Sequence, residues 1–179
     1  MPATLKHPLA VAFCALLPIA LASCSSTPPS YLQAAIDASQ SGDQKTAVIM
    51  AKKEVARFDK PDQCSRTTHY NCGTLALAYG SLAEYQIMDG DRLSGEESFS
   101  RAKSALAWTD AGNKASAAGM VYRDVSEAYW KTGDKARAIV VFNEGRAAGA
   151  DSWLAMGSAA KAAMAENTTP APPAPQAPR

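Results

Sequence analysis

The chain has little of what most biochemical functions require. Only 7% of its 179 residues are aromatic, two are histidine and four are cysteine. Charge is balanced, with 18 Lys plus Arg against 17 Asp plus Glu. Nucleic-acid binding depends on clustered cations, so this balance argues against it. A sandwich or barrel needs β-branched and aromatic runs, which the sequence does not supply. No succession of long apolar segments marks a polytopic membrane protein. HExxH is absent, as is a phosphate loop ending in GK[ST]. What is abundant is alanine, at 37 residues, the side chain that costs least in a helix. Hydrophobic residues make up 47% of the chain, enough for a core and too much for a disordered polymer. The length fits one domain, and the composition predicts an all-α fold.

The first 24 residues read MPATLKHPLAVAFCALLPIALASC. Lys6 gives a short positive region, and Pro8 to Leu21 form an apolar stretch too short to span a bilayer and interrupted by Pro18. The stretch ends in Leu21-Ala22-Ser23-Cys24. This resembles the bacterial lipoprotein box, an aliphatic residue and two small ones before a cysteine. The resemblance implies a signal peptide over 1–23, cleavage before Cys24, and acyl chains on Cys24 and its new amine. An ordinary signal peptide with a chance cysteine is the alternative. Each buried CH₂ contributes about 0.8 kcal/mol, so several chains anchor almost permanently. Ser25 follows where aspartate would signal inner-membrane retention in enteric lipoproteins, so the expected location is the outer membrane, facing the periplasm. Residues 24–29 form a tether.

Cys14 lies in the signal segment, which leaves Cys64 and Cys72 in PDQCSRTTHYNCG. In an oxidising periplasm such a pair reads as a disulfide. Free thiols remain an alternative. A metal site through His69 lacks a fourth ligand and matches no standard spacing.

Gly-Asp occurs three times, at Gly42-Asp43, Gly90-Asp91 and Gly133-Asp134. Tyrosine stands eleven residues before each glycine (Tyr31, Tyr79, Tyr122), and a small residue seven before (Ala35, Ala83, Ser126) and five after (Ala47, Gly95, Ala138). Phe99 and Phe142 stand nine after the second and third glycines, with Ala51 at the first. Glycine ends a helix by taking positive φ, and aspartate caps the next one. Small residues let the paired helices approach. The pattern predicts helices near 31–41, 44–58, 74–88, 94–108, 114–132 and 135–148. A capping box Ser30/Gln33 would open the first and another, Ser94/Glu97, the fourth, with a loop over 109–113. A last helix over 152–166 would cover the end through Trp153, Leu154 and Met156. The Pro/Ala-rich residues 168–179 read as a disordered tail, leaving a helical domain over 30–167.

These recurrences resemble the tetratricopeptide repeat, best in the third unit, with Tyr122, Val125, Ser126, Tyr129, Gly133-Asp134, Ala138 and Phe142 at matching positions. Gly145 stands where alanine is usual, and Ala150 replaces the closing proline. Glu54 and Gln86 occupy positions that are normally small or apolar. The glycine spacings of 48 and 43 residues exceed the family period of about 34, so insertions separate the units. A generic bundle of antiparallel helices is the alternative. The resemblance implies helical hairpins stacked as a short solenoid with a C-terminal capping helix. It also implies a concave groove lined by the first helix of each unit. The implied positions are Leu32 and Ile36, then Leu77, Gly80, Glu84 and Ile87, and then Arg123, Glu127, Trp130 and Lys131. Trp130 packed on the terminal helix is the competing placement.

Catalysis has little support. His69 is the one histidine after residue 23, and the adjacent carboxylates Glu96 and Glu97 point apart on a helix. No cofactor, metal or small-molecule substrate is expected. The expectation is a non-catalytic, lipid-anchored adaptor that binds a protein partner of the bacterial envelope, for example in a secretion, pilus or surface system. The alternative is a regulator of a peptidoglycan enzyme.

Overall fold

The computed structural model describes residues 30–168. Cys24, the expected signal and tether before residue 30, and the tail from residue 169 onward lie outside the described residues. Among the described residues the fold is all-α, with no strand. The elements are α1 (Tyr31–Gln40), α2 (Gln44–Phe58), α3 (Cys72–Met88), α4 (Arg92–Trp108), α5 (Ala111–Lys131), α6 (Lys135–Ala147), a short 3₁₀ turn (Ser152–Met156) and α7 (Ser158–Thr168). None of these helices is long and apolar enough to cross a membrane.

The three Gly-Asp pairs make three turns with matching backbone angles. Gly42, Gly90 and Gly133 have φ of 87°, 90° and 88°. Asp43, Asp91 and Asp134 share φ of −85° and cap α2, α4 and α6 by accepting from the N–H three residues on. At the first two turns the Asp N–H also reaches back to close the preceding helix, on the Ala38 and Gln86 carbonyls. Local chemistry alone therefore dictates where three helices stop and three start.

The starts of α3, α4 and α5 differ from the sequence expectation, each coming two or three residues early. The Ser94/Glu97 box does not form, because Asp91 already caps α4 and Glu97 turns outward to Arg101. The expected loop over 109–113 is mostly helix, because Asp110 caps α5 through Asn113 N–H. Ser30 does cap α1, while Gln33 bonds Asp37 and not the cap.

The recurrent small positions form the helix contacts. Ala35, Ala47, Ala83 and Ala138 are 0% exposed, and Gly95 and Ser126 are buried beside them. Phe99 and Phe142 are buried, and the Phe99 ring meets Tyr122 edge-on at 5.3 Å between centroids. The tyrosine position holds only twice: Tyr79 and Tyr122 are buried, while Tyr31 is exposed under Lys53. The departures at Glu54 and Gln86 are accommodated. Glu54 pairs with Arg57 at 2.9 Å. The Gln86 amide nitrogen faces the carbonyls of Leu82 and Ser94 at 3.3 and 3.0 Å.

Neighbouring helices pack in the order α1 on α2, α2 on α3, α3 on α4, α3 on α5, and α5 on α6. Gly80 permits the α3–α5 approach, since a Cβ there would lie 3.0 Å from Val121. Glu96 and Glu97 do point apart. Glu96 forms a two-pronged pair with Arg137 at 2.9 and 3.0 Å and accepts from Tyr129 Oη at 2.6 Å, which joins α4, α5 and α6.

The C-terminal end differs from the single helix expected. Asp151 caps the 3₁₀ turn, Gly157 is extended, and α7 starts at Ser158. Of the three covering side chains expected, only Leu154 is buried; Trp153 and Met156 are exposed. Cover comes instead from Ala159, Ala160 and Ala163, whose small size brings α7 close to α5 and α6.

Candidate functional site

Cys64 and Cys72 form a disulfide, with Cα atoms 4.9 Å apart. Cys72 is the first residue of α3, two residues before the expected start, so the bridge clamps the insertion onto that helix. His69 donates from Nδ1–H to the Trp108 carbonyl at 2.7 Å and serves the same loop. Among the described residues no group of three or more His, Cys, Asp or Glu could hold a metal ion.

A concavity of about 450 Å³ lies between α1, α3 and α5. Each helix contributes one stripe at helical spacing: Leu32 and Ile36 from α1, Leu77, Ser81, Glu84 and Met88 from α3, and Met120, Arg123, Asp124 and Lys131 from α5. The groove exists because α1 packs on α2 and α3 on α5, with no comparable packing of α1 on α3. A second hollow of about 270 Å³ shares Leu77 and Met120 and extends the groove to Tyr70 and Asp110.

Of the expected groove residues, Leu32, Ile36, Leu77, Glu84, Arg123 and Lys131 come together here. Four do not. Ile87 is 1% exposed and fills the space beside Gly95, where an added Cβ would lie 2.6 Å from it. Gly80 is covered by Val121. Glu127 accepts from Ala159 N–H at 2.8 Å and so holds the start of α7. Trp130 is half-buried against the core with the Lys135 ammonium 5.0 Å over its ring, outside the groove lining. Met120 and Asp124 were missed by the sequence reading, although 120, 124 and 131 follow the i, i+4, i+11 positions of one helix face.

The α1 side offers Leu32 and Ile36 with the neutral Ser39 and Gln40, and the α3 and α5 sides carry the ionic groups. Arg123 pairs with its neighbour Asp124 at 2.6 Å. Lys131 is exposed at the rim. Glu84 makes no hydrogen bond and no ion pair with any described residue. Burial pushes its carboxyl up to about 8, helped by the charges of Asp124 and Glu127 and opposed by Lys131 and Arg123. Asp124 is also raised, by burial, against the pull of Arg123. Tyr85, beside Glu84, is raised by burial and then by the Glu84 and Asp124 charges.

The sign of the resulting pH dependence is fixed. A carboxyl raised in the folded state stays protonated while the unfolded chain ionises, so stability is full below the unfolded value near 4.3 and is lost as pH rises toward 8. Glu84→Gln therefore raises the melting temperature at pH 8 and changes it little at pH 4. Paired thermal melts at the two pH values check this; equal shifts at both would place the Glu84 carboxyl in ordinary solvent.

Comparison with known protein families, curated proteins and solved structures finds no match to this chain.

Proposed function

We propose that the protein is a non-catalytic adaptor of the bacterial envelope, anchored through acyl chains on Cys24, that holds a segment of a partner protein in the α1–α3–α5 groove. The observation that carries this reading is the groove itself, built from one stripe on each alternate helix. Alternate helices lining one concave face are what a short tetratricopeptide-like solenoid of antiparallel hairpins would produce, and the three matching Gly-Asp turns support that architecture. The Leu-Ala-Ser-Cys box supports the anchor and a location at the outer membrane facing the periplasm. A tethered adaptor needs only modest affinity, because anchoring raises the effective concentration of its partner. A regulator of a peptidoglycan enzyme would use the same surface, and the identity of the captured partner separates the two.

The test has two readouts on one preparation. Intact-mass measurement of protein extracted from membranes shows acyl mass on a chain starting at Cys24, and Cys24→Ser abolishes it. The double variant Ile36→Asp with Met120→Asp loses a co-purifying envelope protein that wild type and Val140→Asp on α6 both retain. A mass without acyl groups removes the anchor; co-purification indifferent to the groove variants removes the adaptor.

A further inference from the structure

Glu84 is the unusual group in the groove. Its neighbours are satisfied: Asp124 has Arg123, and Glu127 has the Ala159 N–H. Glu84 has no such partner among the described residues, although it is half-buried and lines the concavity. A partly desolvated carboxyl without a partner is costly, and removing that cost is a source of binding energy for whatever supplies the missing group. The walls around it are Leu32, Ile36, Leu77, Met88 and Met120. The continuation toward Tyr70 adds a further carboxylate, Asp110, and no cation.

We propose that this groove recognises a partner segment carrying one lysine or arginine flanked by apolar residues, with the cation seated on Glu84 and the apolar side chains against Ile36, Leu77 and Met120. The inference rests on the adaptor reading and specifies its partner. Charge complementarity favours a cation at Glu84. Asp124 is engaged by Arg123 and Asp110 by Asn113, and Lys131 stands at the rim, so Glu84 is the groove carboxyl without a partner among the described residues. An apolar stem ending in a charged head suits a cleft with apolar walls and one unpaired carboxyl.

Binding then releases a proton. The charged groups facing Glu84 come from α5: Asp124 and Glu127 disfavour its ionisation, Arg123 and Lys131 favour it. The α1 wall offers Leu32, Ile36, Ser39 and Gln40, none of which titrates. An incoming cation tips this balance toward the carboxylate, so affinity rises with pH up to about 8.

The probe is a phage-displayed library of random dodecapeptides selected on the full chain in mild detergent at pH 8. The peptides recovered are then synthesised and measured by fluorescence anisotropy. The expected peptides carry one Lys or Arg between apolar residues. Replacing that residue by norleucine weakens binding to wild type tenfold or more and to Glu84→Gln less than twofold. Wild type binds more tightly at pH 8 than at pH 6, and Glu84→Gln shows no such difference. Peptides that lose binding in Ile36→Asp but carry no cation overturn the cation site and leave the groove reading standing. Peptides indifferent to Ile36→Asp, or no enrichment at all, overturn both. Binding seen only after deletion of residues 169–179, or a dimer dispersed by Ile36→Asp, makes the chain's own tail or a second copy the occupant and overturns the proposal. Circular dichroism confirms that each variant is folded.

Discussion

Phe99→Ala lowers stability by about 3–5 kcal/mol, the range for truncating a buried aromatic. Phe99 is 0% exposed, sits on α4, and meets the Tyr122 ring of α5 edge-on. Its loss leaves a cavity between α4 and α5, and it removes a ring pair as well as buried area. Gly95 and Ala102, one helical turn away on either side, carry almost no side chain to move in, and the Lys103 ammonium 4.5 Å over the ring is a poor filler for an apolar cavity. For a domain of this size the melting temperature falls by roughly 10–20 °C. Thermal melts with urea titration check this. A loss below about 1 kcal/mol would mean that the α4–α5 junction is loosely packed.

Gly145→Leu is the second severe change, costing about 3 kcal/mol, the upper part of the overpacking range, even after the gain in helix propensity. A Cβ at residue 145 would stand 2.7 Å from Tyr122 Cβ and 2.9 Å from Leu154 Cδ2. Both neighbours are buried; Tyr122 Cβ is fixed to the α5 backbone and cannot retreat, whereas Leu154 borders a hollow of about 240 Å³ and can yield in part. The 3₁₀ turn brings Leu154 onto α6 opposite Tyr122 and leaves residue 145 room only for hydrogen. Gly145→Ala should show the early part of the same penalty by chemical denaturation, and an unchanged midpoint for both variants would contradict this packing.

The helix boundaries were legible because they are set locally. A glycine at positive φ followed by a capping aspartate needs no tertiary partner, so all three turns could be placed from sequence. The misplaced boundaries share a cause. At residues 91 and 110 aspartate, already an excellent cap, took precedence over a serine-based box and over an apparent loop. At residue 157 a glycine that looks harmless inside an alanine-rich run breaks the last helix, because Glu127 fills the space beside it: a Cβ there would lie 2.5 Å from its carboxylate oxygen.

The groove was half legible for a different reason. The stripe on α3 runs through 77, 81, 84 and 88, whereas the sequence reading stepped 77, 80, 84, 87. One residue is 100° on a helix. That displacement carried Gly80 to the α5 contact and Ile87 into the core. Trp130 shows the same slip beside Lys131. A side chain's neighbours across the helix contact decide such choices, and the sequence of one chain does not contain them directly. Met120 and Asp124 escaped attention because a methionine and an acid on an amphipathic helix look like core and surface respectively; only the gap between α1 and α3 opens that face of α5 as a groove wall.

The central claim is that a protein partner touches the α1–α3–α5 face. The direct measurement is site-specific photocrosslinking in living cells, with a benzophenone side chain at Met120 inside the groove and, separately, at Val140, which is exposed on α6. The account predicts one discrete crosslinked protein from residue 120, none from residue 140, and loss of the first when Ile36 is changed to aspartate. Equal crosslinking from both positions, or a crosslink from residue 140 alone, would contradict it.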